Sequence, residues 1–267
     1  MNISLSRIRR IRVPGLTINT ANDINNHGQI VGQFTDANGA VHGFVYNDGV
    51  LCQIDYPGAR NTNVIGINNL GQMVGMFGTP TGTFGFVYDR GTFGQLAFPG
   101  AGNLTIANAI NDRGEIVGVF QTPAGAGRSF LFKANQYQPL QVPGAQEAAA
   151  EAINASGQII GNYPDAKGTH GFVYLENAGV FFMPLDCPNT KVTALRAINN
   201  EGQIAGGCID PAGNEHPFLY IAGGFSPMLI PGAVSVSVNG INDHGQMVGN
   251  IRHATGPAEA FVGTILC

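Results

Sequence analysis

Charge is what this chain most conspicuously lacks. Asp, Glu, Lys and Arg together make up 11% of its 267 residues, against about 25% in an average chain. Helix surfaces depend on Lys, Glu and Arg, so a helix-rich fold is excluded first. No apolar run reaches transmembrane length, so no membrane partner is expected. The net charge of −4 gives no general attraction to nucleic acid. Cysteine is sparse, at positions 52, 187, 208 and 267, and no CxxC pair exists. A zinc ribbon or thioredoxin-type site is therefore excluded. At this density Cys52, Cys187, Cys208 and Cys267 do not form a disulfide framework, and all four are expected to be reduced thiols. No P-loop, dinucleotide fingerprint or Gly-x-Ser-x-Gly elbow is present, and no cofactor or metal is expected. The segment MNISLSRIRRIRVPG has no apolar core of a secretory signal, which points to the cytoplasm.

Glycine, by contrast, is abundant, with 39 residues, and 44% of the chain is hydrophobic. A disordered chain would be poorer in apolar residues and richer in net charge. Turns and close backbone packing are implied instead. The length allows one large all-β domain or two small ones.

Self-similarity supplies the architecture. Gly28-Gln29-Ile30-Val31-Gly32 recurs with its first glycine at 71, 114, 157, 202 and 245. The spacings are thus 43, 43, 43, 45 and 43 residues. Each copy follows an Ile-Asn pair, ending at Asn25, Asn68, Asn111, Asn154, Asn199 and Asn242. Each precedes an aromatic strand centred on Phe44, Phe86, Phe130, Phe172, Phe218 or Phe261. Pro-Gly opens five units, at Pro14, Pro57, Pro99, Pro143 and Pro231, and Pro188-Asn189 opens the other. In the second unit strands are expected at 64–68, 72–77, 85–88 and 93–98, with Gly71 in the left-handed position of a bulged hairpin. Four strands in about 40–45 residues is the period of a propeller blade.

The last unit stops at Thr264-Ile265-Leu266-Cys267, after its third strand, while residues 6–13 stand in fourth-strand register. The expected fold is therefore all-β: a six-bladed β-propeller, four strands per blade, in one domain over 1–267. Its last blade is closed by the N-terminal strand, which removes an open edge. Arg7, Arg9, Arg10 and Arg12 on that strand are read as charges that discourage edge pairing. A monomer is expected.

These motifs resemble a named family. Ile-Asn-x-x-Gly-Gln-Ile-Val-Gly followed by His-Gly-Phe looks like the bacterial HAF repeat, and that strand reads His42-Gly43-Phe44, His170-Gly171-Phe172 and His216-Pro217-Phe218 here. The resemblance spans nearly the whole chain. It implies a bacterial β-propeller of an extracellular repeat family, and so an exported protein as the alternative location. It transfers no catalytic motif.

Repetition also separates structure from function. A residue present in every unit builds the unit, whereas a single site must use positions where units differ. The six Asn residues are accordingly read as turn caps, bonding the backbone two residues on. His27 and His244 fall at exposed turn tips; His42, His170 and His216 belong to the repeat. The informative column lies two residues before the Ile: Asn22, Ile65, Asn108, Glu151, Arg196 and Asn239. Unpaired buried charge is costly, so these side chains are expected in a water-filled channel. One residue later stand Asp23, Gly66, Ala109, Ala152, Ala197 and Gly240, with Asp23 the lone charge. Glu151 and Arg196, on neighbouring units, are expected to pair, with Asp23 across the axis. If the protein is an enzyme, the catalytic candidates are Glu151, Arg196 and Asp23. Ligand-binding candidates are Asn22, Asn108 and Asn239 in the channel, and Arg60, Asn61, Glu147 and Lys191 in loops placed at its mouth. The leading reading is a propeller that binds a small polar molecule or glycan at the channel mouth. A lyase, hydrolase or cyclase is the alternative, and a protein-interaction scaffold a third. Propeller folds host all of these.

Overall fold

In the computed structural model, which describes residues 3–12, 16–175 and 181–266, alternation and turn chemistry produce strands almost throughout. The N-terminal strand Ile3–Arg10 precedes a first unit of Thr17–Ile24, Ile30–Thr35, Val41–Asn47 and Val50–Ile54. The second unit, Asn61–Ile67, Met73–Thr79, Gly82–Asp89 and Thr92–Leu96, follows the same order. Its first strand begins three residues earlier than the sequence suggested, at Asn61 rather than Val64. The fold is a β-propeller with four antiparallel strands per blade.

Hydrogen bonding joins the strands into four sheets, not the six expected. Three are four-stranded, and the last three units share one twelve-stranded sheet. The reason is local. A single parallel pair, Thr169 with Val192, bridges the fourth and fifth units. The N-terminal strand bridges the fifth and sixth, through Ile3 with Met228 and Ser4 with Leu229. That strand also pairs antiparallel with Glu259–Leu266, from Ser4–Leu266 to Arg10–Phe261. It is thus flanked on both sides at its start, so its arginines do not simply guard a free edge. Arg10 and Arg12 instead reach Glu259, at 2.9 and 3.1 Å. Val13, Pro14 and Gly15 lie outside the described residues.

The repeated columns form the interior. The six Phe side chains are at most 2% exposed. The second glycine of each repeated pentapeptide lies under the first strand. A Cβ at Gly75 would strike the Asn63 carbonyl oxygen and approach the Phe86 ring to 3.0 Å. Only glycine allows the strands to close there.

The Asn column does more than cap. Asn154 Oδ1 accepts from the Ser156 and Gln158 backbone N–H groups at 3.1 and 3.0 Å. Its Nδ2 donates to Gln158 Oε1 and to the Asn199 carbonyl of the next unit. The same inter-unit bond runs Asn25–Asn68–Asn111–Asn154–Asn199–Asn242 and returns to Asn25. The ring therefore closes on itself through buried amides. Asn154→Ala orphans several of these groups and should cost about 1–3 kcal/mol, read as a lower melting temperature.

One cysteine expectation is overturned. Cys187 and Cys208 form a disulfide, with Cα atoms 5.8 Å apart. Cys52 is a free, exposed thiol, and Cys267 lies outside the described residues. The pairing has a repeat logic. Cys187 sits where Tyr56 and Phe98 sit, just before the Pro, and Cys208 sits in the column of Phe77 and Phe120. Tyr56 stacks on Phe77, and Phe98 on Phe120, at 3.6 and 3.7 Å between ring centres. The disulfide takes the place of that stack between the fourth and fifth units.

Candidate ligand channel

The site begins with a defect in pairing that every unit shares. Each first strand slips register at an equivalent place, Ala21/Asp23, Val64/Gly66, Ala107/Ala109, Ala150/Ala152, Leu195/Ala197 and Val238/Gly240, and the first unit's strand slips once more at Ile18/Thr20. The skipped residues are Asn22, Ile65, Asn108, Glu151, Arg196 and Asn239. A bulge re-aims side chains, and all six line one axial cavity of about 190 Å³. Plain alternation would turn the next column away, yet Asp23, Ala109, Ala152 and Ala197 line the cavity too. The bulge brings both columns to the axis.

Asp23 Oδ1 accepts from the Ile24 N–H at 2.8 Å, and Oδ2 from the Ile67 N–H of the next unit at 3.0 Å. Room for it comes from Gly240, whose Cβ would lie 2.7 Å from the Asp23 Cα and 2.9 Å from Oδ1. Burial outweighs both N–H donors and pushes the carboxyl from 3.8 up to about 7. Burial also raises Glu151, against the opposing pull of the Arg196 charge and of Asn162.

Arg196 does not form the expected ion pair with Glu151. Its Nε and Nη2 bind Glu215 Oε1 and Oε2 at 3.0 and 3.1 Å, a bidentate pair within its own unit. Glu151 feels Arg196 only as a nearby charge. Sequence reasoning missed Glu215, although a signal exists. Unit five alone carries glycine, Gly207, in a column reading Gln33, Met76, Val119, Asn162 and Asn250 elsewhere. A Cβ at Gly207 would collide with the Glu215 carboxylate.

The three channel asparagines also staple units together. Asn22 donates to Asn63 Oδ1 and the Val64 carbonyl, both at 2.8 Å. Asn108 donates to the Ala150 carbonyl and Asn239 to the Ala21 carbonyl. Arg60, Asn61, Glu147 and Lys191 are exposed and do not line the cavity. Strand direction explains the correction. Each first strand runs from these loops toward the Asn turn, and the lining runs from the bulge to the turn. The four residues therefore stand at the far end, where Arg60 N–H bonds Gly78 and the Lys191 carbonyl accepts from Thr169.

At the turn end, a second column was also missed: Asn26, Asn69, Asp112, Ala155, Asn200 and Asp243, all lining the cavity. Side-chain oxygens there accept the neighbouring unit's backbone N–H, as Asn69 does from Asn26 and Asp243 from Asn200. Ala155 supplies no such oxygen. Burial pushes Asp243 upward, but bonds from Asn26 and Asn200 prevail and hold it below the ordinary carboxylate value. His42, His170 and His216 stand away from the cavity, clasped by Asp55, Asp186 and Asp210 at 2.8–2.9 Å. Among the described residues no group of three His, Cys, Asp or Glu could hold a metal ion. None of their helices is long and apolar enough to cross a membrane.

Solved structures share this architecture at low identity. The β-propeller domain of the Trilobed protease from Pyrococcus furiosus aligns at a TM-score of 0.60 and 12% identity, over 94% of this chain and 79% of that one. A streptogramin B lyase aligns at 0.51 and 12%, over 99% and 98%. Aleuria aurantia lectin in complex with α-methyl-L-fucoside aligns at 0.51 and 11%, over 79% and 77%. At these identities the likeness is one of fold. No family model and no curated protein matches the sequence.

Proposed function

We propose that the chain is a single six-bladed propeller whose axial channel binds one small polar molecule or glycan per monomer, at the end carrying the Asn turns. The carrying observation is the bulge column: six equivalent backbone positions deliver Asn, Ile, Asn, Glu, Arg and Asn into one cavity. A repeated frame thus holds an unrepeated lining, which suits a single ligand. Two parallel bridges merge blades four to six into one sheet without altering the six-unit ring of Asn bonds. The fucoside complex of the Aleuria lectin supports a glycan reading for a propeller of this kind. The His-Gly-Phe strands support kinship with bacterial HAF-repeat proteins, and the disulfide supports export, since disulfides persist in oxidising compartments.

Calorimetric titration with a panel of monosaccharides and polyols tests this reading. One site per chain is expected. Glu151→Gln should weaken binding roughly ten- to hundredfold, as loss of a charged hydrogen bond does. Lys191→Ala, at the far end, should leave affinity unchanged. Six equivalent sites, or equal affinity in Glu151→Gln, would refute it.

A second reading rests on the carboxyls themselves. Asp23 near pH 7 and Glu151, also raised, share one confined channel. A carboxyl poised near neutral pH, as Asp23 is, suits proton transfer, so a lyase, hydrolase or cyclase is the enzymatic counterpart. A lyase on this fold exists in the streptogramin B enzyme.

A further inference from the structure

Aromatic clusters seal two of the seams between units. Ahead of unit two, Tyr56 stacks on Phe77 at 3.6 Å, and Phe93 of the outer strand meets it edge-on at 5.2 Å. Unit three repeats this with Phe98 on Phe120 and Tyr137. Between units five and six the same two stacking columns hold Ile230 and Ile251. The outer strand there contributes Ile8, whose Cγ1 lies 3.4 Å from the Cβ position of Gly263. Gly263 itself stands where Tyr88 and Phe132 stand in other units. Of the rings, the third-strand Phe261 remains. Branched aliphatic side chains do not fill the space of stacked rings. A cavity of about 230 Å³ is left, walled by Ile8, Ile230, Ile251 and Phe261, with Arg10 and Glu259 at its rim.

We propose that this seam cavity is a second ligand site, separate from the axial channel, and that it takes a flat aromatic ring bearing a carboxylate. The ring would occupy the plane that a stacked aromatic side chain fills in the two intact seams. The carboxylate follows from the rim charges. Arg10 and Arg12 both bind the single carboxylate of Glu259, which leaves positive charge unbalanced beside the opening. Arg10 is 46% exposed on its side chain and can swing to an incoming anion.

The test titrates the intact chain with 4-hydroxybenzoate, benzyl alcohol and cyclohexanecarboxylate, followed by chemical-shift perturbation. 4-Hydroxybenzoate should bind at least tenfold tighter than cyclohexanecarboxylate, which has the charge without the flat ring. It should exceed benzyl alcohol, which has the ring without the charge, by a similar factor. Ile251→Phe installs the residue found in that column in three other units, as Phe34, Phe77 and Phe120, and should abolish binding; Ile230→Tyr gives the same readout should the first variant fold poorly. Arg10→Gln should erase the advantage over benzyl alcohol and keep the ring preference. Glu151→Gln, in the axial channel, should change nothing here. Equal affinity for the three probes, no binding at millimolar concentration, or binding that survives Ile251→Phe would overturn the proposal. Weakening by Glu151→Gln would place the ring in the channel and overturn it equally, while leaving the channel reading intact.

Discussion

Reduction of the Cys187–Cys208 bond should lower the melting temperature by roughly 6–12 °C. The bond closes a loop with a sequence separation of 21 residues. Cross-linking a loop of that length stabilises a fold by about 3 kcal/mol through the unfolded chain. In chains of this size each kcal/mol moves the midpoint by about 2–4 °C. At this seam the two columns carry sulfur where two other seams carry stacked rings. The converse change provides the control. Cys187→Tyr with Cys208→Phe installs the pair seen at Tyr56 and Phe77, and this variant should regain much of the loss. Its midpoint should also ignore reductant, whereas the parent's falls. A parent midpoint that stays constant in excess dithiothreitol would show that this seam does not depend on the bond.

The cysteines also show where reading a sequence by columns succeeds and where it stops. The repeat positions the six Phe, the Asn caps and the strand order without ambiguity, because each is present in every unit. Cys187 and Cys208 were legible by the same logic: they occupy the two columns whose members Tyr56 and Phe77, and Phe98 and Phe120, meet across a seam between adjacent units. Counting cysteines along the chain hides that, and comparing columns reveals it. The channel column was found because mixed Glu, Arg and Asn cannot be buried unpaired. Asp23 was placed on the axis with it, but the bulge that turns both Asp23 and Glu151 there was not, since strict alternation has no place for one, and the turn-end column from Asn26 to Asp243 was missed. Arg196 was given to Glu151 by adjacency of units, yet Glu215 lies closer, in space opened by Gly207. The loop residues Arg60, Asn61, Glu147 and Lys191 were expected at the channel mouth, yet none of them lines the cavity. The cavity is lined from the bulge to the Asn turn, away from these loops, and the bulge that sets this leaves no mark in the alternation pattern. The fused sheet is similar: parallel pairs at Thr169 and along the N-terminal strand change the hydrogen-bonded tally without changing any unit.

Asp23→Asn should remove a pH dependence of stability that the parent shows between about pH 4 and pH 7. In the folded chain the Asp23 carboxyl is raised from 3.8 to about 7 by burial. Between those values the folded chain holds a proton that the unfolded chain has released. Stability from this group is therefore fully present below pH 4 and is lost as pH rises through 7. A rise from 3.8 to about 7 corresponds to roughly 2–4 kcal/mol. Other carboxyls act in the opposite sense. Asp210 is lowered to about 2, chiefly by the His216 bond, so it stabilises above pH 4 and that contribution fades on acidification. The parent's curve sums both, and the difference between parent and Asp23→Asn isolates one. The variant should be the less stable at pH 4–5, because an amide can accept from only one of Ile24 and Ile67 and must turn its NH₂ toward the other. That deficit should shrink by roughly 2–4 kcal/mol on reaching pH 8, where the parent has ionised in a poorly hydrated place. Denaturant midpoints across this range measure it directly. A constant deficit from pH 4 to pH 8 would mean that Asp23 titrates as an ordinary carboxylate, and the enzymatic reading of the channel would lose the group best placed to move a proton at neutral pH.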